Sequence, residues 1–135
     1  MLLNMRDDLM VQQQVDSVWQ HMVGVICLNC TNRKQVKAVL PGFFKKWSTP
    51  ESFLNASRNE IENVITPLGM KRVRAERLSR MSEQFLEWNG EDATDLYGIG
   101  KYGSDSYELF YKNRIPTNVG DHELKRYINE EFVIT

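Results

Sequence analysis

Cysteine is almost missing from this 135-residue chain, which has 2, so disulfides cannot staple the fold and stability must come from buried apolar surface. No apolar run approaches the roughly 20 residues needed to span a bilayer. The start, Met1 to Met10, turns acidic and charged before a signal-peptide core can form, which argues against secretion as well as against a membrane partner. An excess of one charge sign is also lacking, with 17 Lys+Arg against 18 Asp+Glu. Proline and glycine are sparse, at 4 and 8 residues, and the long stretches without them are rich in good helix formers. Alternating β patterns, low-complexity stretches and repeats are absent, which removes strand-rich, linker and solenoid architectures. What is present is a 41% apolar composition with 3 Trp, 6 Phe and 5 Tyr. That suits one all-α domain spanning residues 1–135, with a core built on aromatics.

Charge balance is local, so a net charge of −1 does not by itself exclude a polyanionic partner. Between Ser17 and Pro50 stand Arg33, Lys34, Lys37, Lys45 and Lys46, with no acid. Lys71, Arg72, Arg74, Arg77 and Arg80 follow between positions 71 and 80 against the single Glu76. Each cluster reads either as a solvated helix face or as part of a basic surface.

Helical spacing runs through Val15, Val18, Trp19, Met22, Val23, Ile26 and Cys27, with Asp16 or Ser17 placed to cap the start. A second apolar face carries Val36, Val39, Leu40, Phe43, Phe44 and Trp47, with room for a kink at Pro41-Gly42. Ser48-Thr49-Pro50-Glu51 opens a short helix through Phe53 and Leu54. Ser57 and Glu60 have the spacing of a capping box ahead of Ile61, Val64 and Ile65, and Thr66-Pro67 stops that helix. From Lys71 to Trp88 the apolar side is expected to be Val73, Leu78, Met81, Phe85 and Trp88, with Gly90 as the terminator. Seven or eight short helices are expected in total.

The most informative segment is Leu96-Tyr97-Gly98-Ile99-Gly100-Lys101-Tyr102-Gly103-Ser104-Asp105-Ser106-Tyr107. Two glycines frame a tight turn at the start of a helix, where backbone N–H groups can face an anion such as phosphate. On composition alone, a plain interhelical turn accounts for them equally. The wider pattern, a short helix, hydrophobic-x-Gly-hydrophobic-Gly, then a helix with small residues at Gly103 and Ser106, resembles the helix-hairpin-helix. That module grips DNA through the backbone rather than the bases.

The resemblance extends beyond the hairpin. Asp121 lies 21 residues past Gly100, inside Ile115-Pro116-Thr117-Asn118-Val119-Gly120-Asp121-His122, where the helix-hairpin-helix (HhH-GPD) DNA glycosylase superfamily places an essential aspartate. Cys27-Leu28-Asn29-Cys30-Thr31 and Thr66-Pro67-Leu68-Gly69-Met70 occur in family order. The hairpin with Asp105-Ser106-Tyr107, and Pro67-Leu68-Gly69 with Arg74-Ala75, look most like the mismatch thymine/uracil glycosylase domain that vertebrates fuse to a methyl-CpG-binding module. The similarity covers about Ser17 to Tyr127.

It implies an all-α fold in which two small helical lobes flank a DNA-binding cleft, with the hairpin motif at about residues 93–108. It implies a monofunctional enzyme that flips a pyrimidine mispaired with guanine out of the duplex and hydrolyses its glycosidic bond. Removal of adenine or another modified base, or DNA binding without catalysis, are the alternatives. Asp121 would stabilise the sugar cation and hold water; the same aspartate also suits a helix N-cap. Tyr102 stands where strand-cutting relatives carry a nucleophilic lysine and would line the base pocket, or simply pack between lobes. Lys101, turned about 100° away on the helix, would meet phosphate, as would the backbone at Gly98, Gly100 and Gly103.

Met70 aligns with an apolar wedge that fills the stack, or is an ordinary core methionine. Arg72 and Arg74 would lie over phosphates or the orphaned guanine, with Asn29, Thr31, Arg33 and Lys34 nearby. Gln12 and Gln13, with Gln14 beside them, fall where relatives place a pocket glutamine. Cys27 and Cys30 form C-x-x-C, but without further cysteines they suit neither an iron–sulfur cluster nor zinc and read as buried helix residues. No cofactor is expected, although a monovalent cation at the hairpin fits the fold. The expected partner is double-stranded DNA with a mismatched or damaged base, met by a monomer. The chain runs 14 residues past Asp121 and carries no methyl-CpG reader, so a microbial, archaeal or viral source, or an excised domain, is expected. Residence would be cytoplasmic or nucleoid in the first cases and nuclear in a eukaryote.

Overall fold

The computed structural model describes residues 17–29 and 32–114, and among these all regular structure is helical. The α-helices are α1 (Val18–Leu28), α2 (Arg33–Lys46), α3 (Pro50–Leu54), α4 (Arg58–Ile65), α5 (Lys71–Phe85) and α6 (Lys101–Phe110). Single 3₁₀ turns stand at Thr66–Leu68 and Ala93–Asp95. Local chemistry sets most of the starts. Ser17 accepts the Gln20 N–H ahead of α1, Asn32 accepts the Gln35 N–H ahead of α2, and Thr49 and Ser52 form a reciprocal capping box with Pro50 at the first position of α3.

Helix α1 lies at the centre, buried at every residue from Trp19 to Cys27, with α2, α5 and α6 packed on it. On one side Trp19 meets Phe43, Phe44 and Phe53 with ring centroids 5.9–6.5 Å apart, and Trp47 closes the cluster against Phe43 and Phe53. The Trp19 indole N–H donates to Ser82 Oγ at 2.9 Å, so this ring also fixes α5. On the other side α1 carries the hairpin and α6. A Cβ built on Gly103 would sit 2.7 Å from Ile99 Cγ2 and 3.0 Å from Val25 Cγ1, so only glycine permits this approach.

Helix α2 continues through Pro41, which lies on its exposed side. An interior proline costs about 3 kcal/mol, less than is gained by burying Val36, Val39 and Leu40 before it and Phe43 beyond it at roughly 1.5–3 kcal/mol each. Three expectations are corrected. The Ser57 box is half made: Ser57 accepts the Glu60 N–H, while the Glu60 carboxylate pairs with Lys46 Nζ at 3.2 Å. Helix α5 ends at Phe85, before Trp88 and Gly90, because the chain turns there so that the Trp88 indole can donate to the Asp92 carbonyl. Val73 is 43% exposed, and the buried stripe of α5 runs through Arg74, Leu78 and Met81 instead.

Beneath the hairpin, His21 of α1 is fully buried with Nε2 2.8 Å from Ser106 Oγ of α6. The Ser106 proton is given to the Gly103 carbonyl at 3.0 Å, so Nε2 carries the donated hydrogen and the ring is neutral. Burial pushes this imidazole down to about 3. The unfolded chain takes a proton near pH 6.5 that the folded chain refuses until about pH 3, so the contribution of His21 is complete above pH 6.5 and declines as the pH falls below it. Urea unfolding between pH 6.5 and 5 is expected to lose stability by up to about 1.4 kcal/mol per pH unit more in the native chain than in His21→Leu. Equal slopes would refute this assignment. Gly103→Ala is expected to cost about 1–3 kcal/mol by overpacking, read as a fall of several degrees in Tm; an unchanged Tm would show that the hairpin gives way freely.

Candidate nucleic-acid interface

The hairpin is built as its residues require. Gly98 adopts φ +84°, a conformation that suits glycine; a Cβ there would meet the Ile26 side chain only at ordinary contact distance, 3.4 Å, so the backbone conformation and not space calls for glycine. The Ile99 N–H closes the turn on the Leu96 carbonyl at 3.1 Å. Helix α6 then opens at Gly100 with no side-chain cap, so the positive end of its dipole faces outward. The helix expected before the hairpin is only the 3₁₀ turn Ala93–Asp95, capped by Asp92, whose carboxyl is held below its usual range by the Thr94 hydroxyl and N–H.

An open groove of about 640 Å³ runs beside the hairpin between Gly98-Ile99-Gly100, Asn29 at the end of α1, and Arg77 and Gln84 of α5. Gln84 Oε1 accepts the Tyr97 N–H at 2.5 Å, and the Arg80 guanidinium lies over the Tyr97 ring, 5.1 Å from its centroid. Sequence patterning assigns none of Arg77, Gln84 and Tyr97 to this surface. Only the three- and four-residue spacing that places Arg77, Arg80 and Gln84 on one side of α5 hints at it.

At the start of α5, Met70 takes the capping position with φ +50° and is 58% exposed. A non-glycine residue in this conformation costs roughly 1 kcal/mol. It stands on the surface as a wedge would, and it is not a core methionine. Lys71 and Arg72 beside it are exposed.

Arg74 departs from expectation. At 2% exposure it cannot lie over a phosphate or a guanine, because its guanidinium is turned inward onto backbone carbonyls of Leu68, Gly69 and Asn29. The cation cluster of α5 is therefore divided: Lys71 and Arg72 face outward, Arg74 is internal, Arg77 borders the groove, and Arg80 shares Glu76 with Arg58. Those two arginines hold the Glu76 carboxyl below its usual range.

Asn29 sits at the groove, and Arg33 and Lys34 are exposed on the first turn of α2. Lys101 Nζ pairs with Asp105 Oδ2 at 2.9 Å along α6, and Tyr102, next to it, is half-buried against the core. Cys27 is buried, and burial pushes its thiol up to about 12 against the opposing pull of Arg74, so it keeps its proton and is a poor metal ligand. Among the described residues no cluster of three or more His, Cys, Asp or Glu is arranged to hold a metal ion. Asp121, Gln12, Gln13, Gln14, Cys30 and Thr31 lie outside the described residues.

The geometry has counterparts in known proteins. A family description, HhH-GPD superfamily base excision DNA repair protein, matches residues 23–135. A methyl-CpG-binding domain protein 4-like protein of Arabidopsis thaliana is 31% identical over 112 residues, covering 81% of this chain and 25% of that protein. A thymine/uracil-DNA glycosylase of Pyrobaculum aerophilum is 31% identical over 123 residues, covering 86% and 53%. The chain thus spans about a quarter to a half of these relatives. The solved structure of a thermostable thymine-DNA glycosylase superposes with a TM-score of 0.72 at 24% identity, covering 92% of this chain and 59% of the other. Endonuclease III trapped covalently on DNA gives 0.69 at 17% identity, with 87% and 59% covered. Their shared all-α architecture, the glycine hairpin seated on a central helix and the family match across residues 23–135 lead to one conclusion: the chain belongs to the HhH-GPD superfamily of base excision DNA repair proteins.

Proposed function

We propose that this protein is a monofunctional DNA glycosylase that removes thymine or uracil mispaired with guanine and leaves an abasic site in an intact strand. The observation that carries this reading is the convergence of three DNA-facing elements in a chain similar to thymine/uracil glycosylases. The hairpin, Asn29 at the end of α1, and the exposed Met70 loop are linked through one groove and one buried arginine. A positive helix end at Gly100 suits a phosphate, and an exposed apolar side chain at Met70 suits the gap left when a base is extruded.

Breaking the N-glycosidic bond builds positive charge on the sugar, which an ionised carboxylate stabilises while it holds the attacking water. Asp121 takes that role on this reading. Tyr102 stands at the position of the imine-forming lysine in strand-cutting relatives, and a phenol forms no imine. Lys101, the neighbouring amine, is held by Asp105 Oδ2 at 2.9 Å along α6. Water is then the nucleophile, and Tyr102 lines the pocket for the flipped pyrimidine, with Gln12 or Gln13 as further pocket residues. Phosphates meet Gly98, Gly100, Gly103, Lys101, Arg72, Asn29, Thr31 and Arg33. The protein acts as a monomer on double-stranded DNA without an iron–sulfur cluster, in the cytoplasm or nucleoid of a microbe or virus, or in a nucleus.

Duplexes carrying G·T, G·U, G·A or 5-hydroxymethyluracil pairs are expected to break at thymine or uracil only after hot alkali, and borohydride should trap no protein–DNA adduct. Asp121→Asn is expected to lose at least about 100-fold in single-turnover excision while binding duplex normally. Near-normal excision by that variant, or a borohydride adduct with the native chain, overturns the mechanism. Cleavage confined to G·A identifies an adenine glycosylase instead, and binding with no excision of any base leaves a DNA-binding module.

A further inference from the structure

We propose that Arg74 is a positioning residue for the wedge: it sets where Met70 stands relative to the end of α1 and the hairpin groove, and so governs base extrusion more than duplex affinity. This rests on the glycosylase reading above. The bonds of the guanidinium run to three main-chain carbonyls. Two of them, Leu68 and Gly69 at 3.1 Å for the latter, belong to the residues immediately before Met70. The third belongs to Asn29, which caps α1 and borders the groove beside the hairpin. The Arg74 backbone N–H also donates to the Met70 carbonyl at 3.0 Å. Arg74 therefore holds Met70 from both sides, by the peptide before it and by its own carbonyl.

The chemistry of the group explains why it stands there. A buried charge is tolerated only when its donors are satisfied, and the carbonyl end of α1 offers the partial negative charge that a cation prefers. The planar fork of arginine reaches carbonyls on two separate chain segments at once, while a lysine ammonium is a single point that cannot span them. The Met70 backbone is left-handed and its side chain is exposed, so little else among the described residues fixes its position. An exposed arginine at position 74 would add affinity for phosphates; a buried one adds geometry.

The test uses the full chain and a G·U duplex with 2-aminopurine beside the uracil, whose fluorescence rises when the stack opens. Arg74→Lys is expected to lower both the fluorescence rise and single-turnover excision about tenfold, with duplex Kd within about twofold of native. In a Met70→Ala background the same substitution should cost less than about twofold, because the wedge it positions is gone. Additive losses, or a weakened Kd with normal extrusion, overturn the proposal and leave Arg74 a structural or a DNA-contact residue. If Arg74→Lys fails to fold, one glycine inserted between Gly69 and Met70 decides the matter, since it detaches Met70 from the intact clamp. Lost extrusion with native Kd supports positioning, and full extrusion overturns it. A native chain that neither opens nor cleaves any duplex refutes the glycosylase reading itself, an outcome distinct from failure of the Arg74 assignment.

Discussion

A helix that cannot meet water on any side organises the described residues. From Trp19 to Cys27 each residue of α1 is buried, so its polar side chains find their partners in neighbouring elements, His21 Nδ1 alone among its described side-chain nitrogens being left without one. They do so three times in consecutive residues. Trp19 donates to Ser82 of α5, Gln20 donates to the Ser48 carbonyl ahead of α3, and His21 donates to Ser106 of α6. Apolar contact alone would leave these elements free to slide along α1, since burial is nearly non-directional. The three hydrogen bonds set their register, and the candidate interface inherits its geometry from that register.

Helix starts were legible because they are local. Ser17, Thr49 and Ser57 act on N–H groups three residues away, and the glycines at 98 and 103 answer to constraints within the hairpin and its seat. The misreadings involve partners distant in sequence. Val73 was the natural apolar choice for the inner face of α5, but the true stripe is set one residue later by Arg74, whose acceptors lie 5, 6 and 45 residues away. A buried arginine leaves no trace in a hydropathy pattern. Glu60 similarly had two uses, and its carboxylate took Lys46 of α2 rather than its own helix start.

The interface shows the same division. The hairpin motif points to a phosphate-facing turn from sequence alone, and Met70 stands exposed. The groove beside the hairpin depends on Arg77 and Gln84 of α5, a helix that the Trp19–Ser82 hydrogen bond fixes against α1. Two charges assigned to DNA on sequence grounds have other engagements here: Arg74 is internal and Lys101 is paired with Asp105. Arg80, from the same basic cluster, is shared with Glu76. The outward cations Lys71 and Arg72 stand beside Met70, and Arg33 and Lys34 lie on the first turn of α2.

The missing Cβ at Gly103 has a mechanical consequence. Ile99 and Val25 occupy the space that a Cβ on residue 103 would need, so the hairpin helix sits directly on α1, and the Arg74 clamp ties the Met70 loop to the end of that same helix. On the proposed glycosylase reading, a double helix that engages the hairpin and Met70 together has to adapt its curvature to their spacing, and sites weakened by a poorly stacked pair yield at the lowest cost.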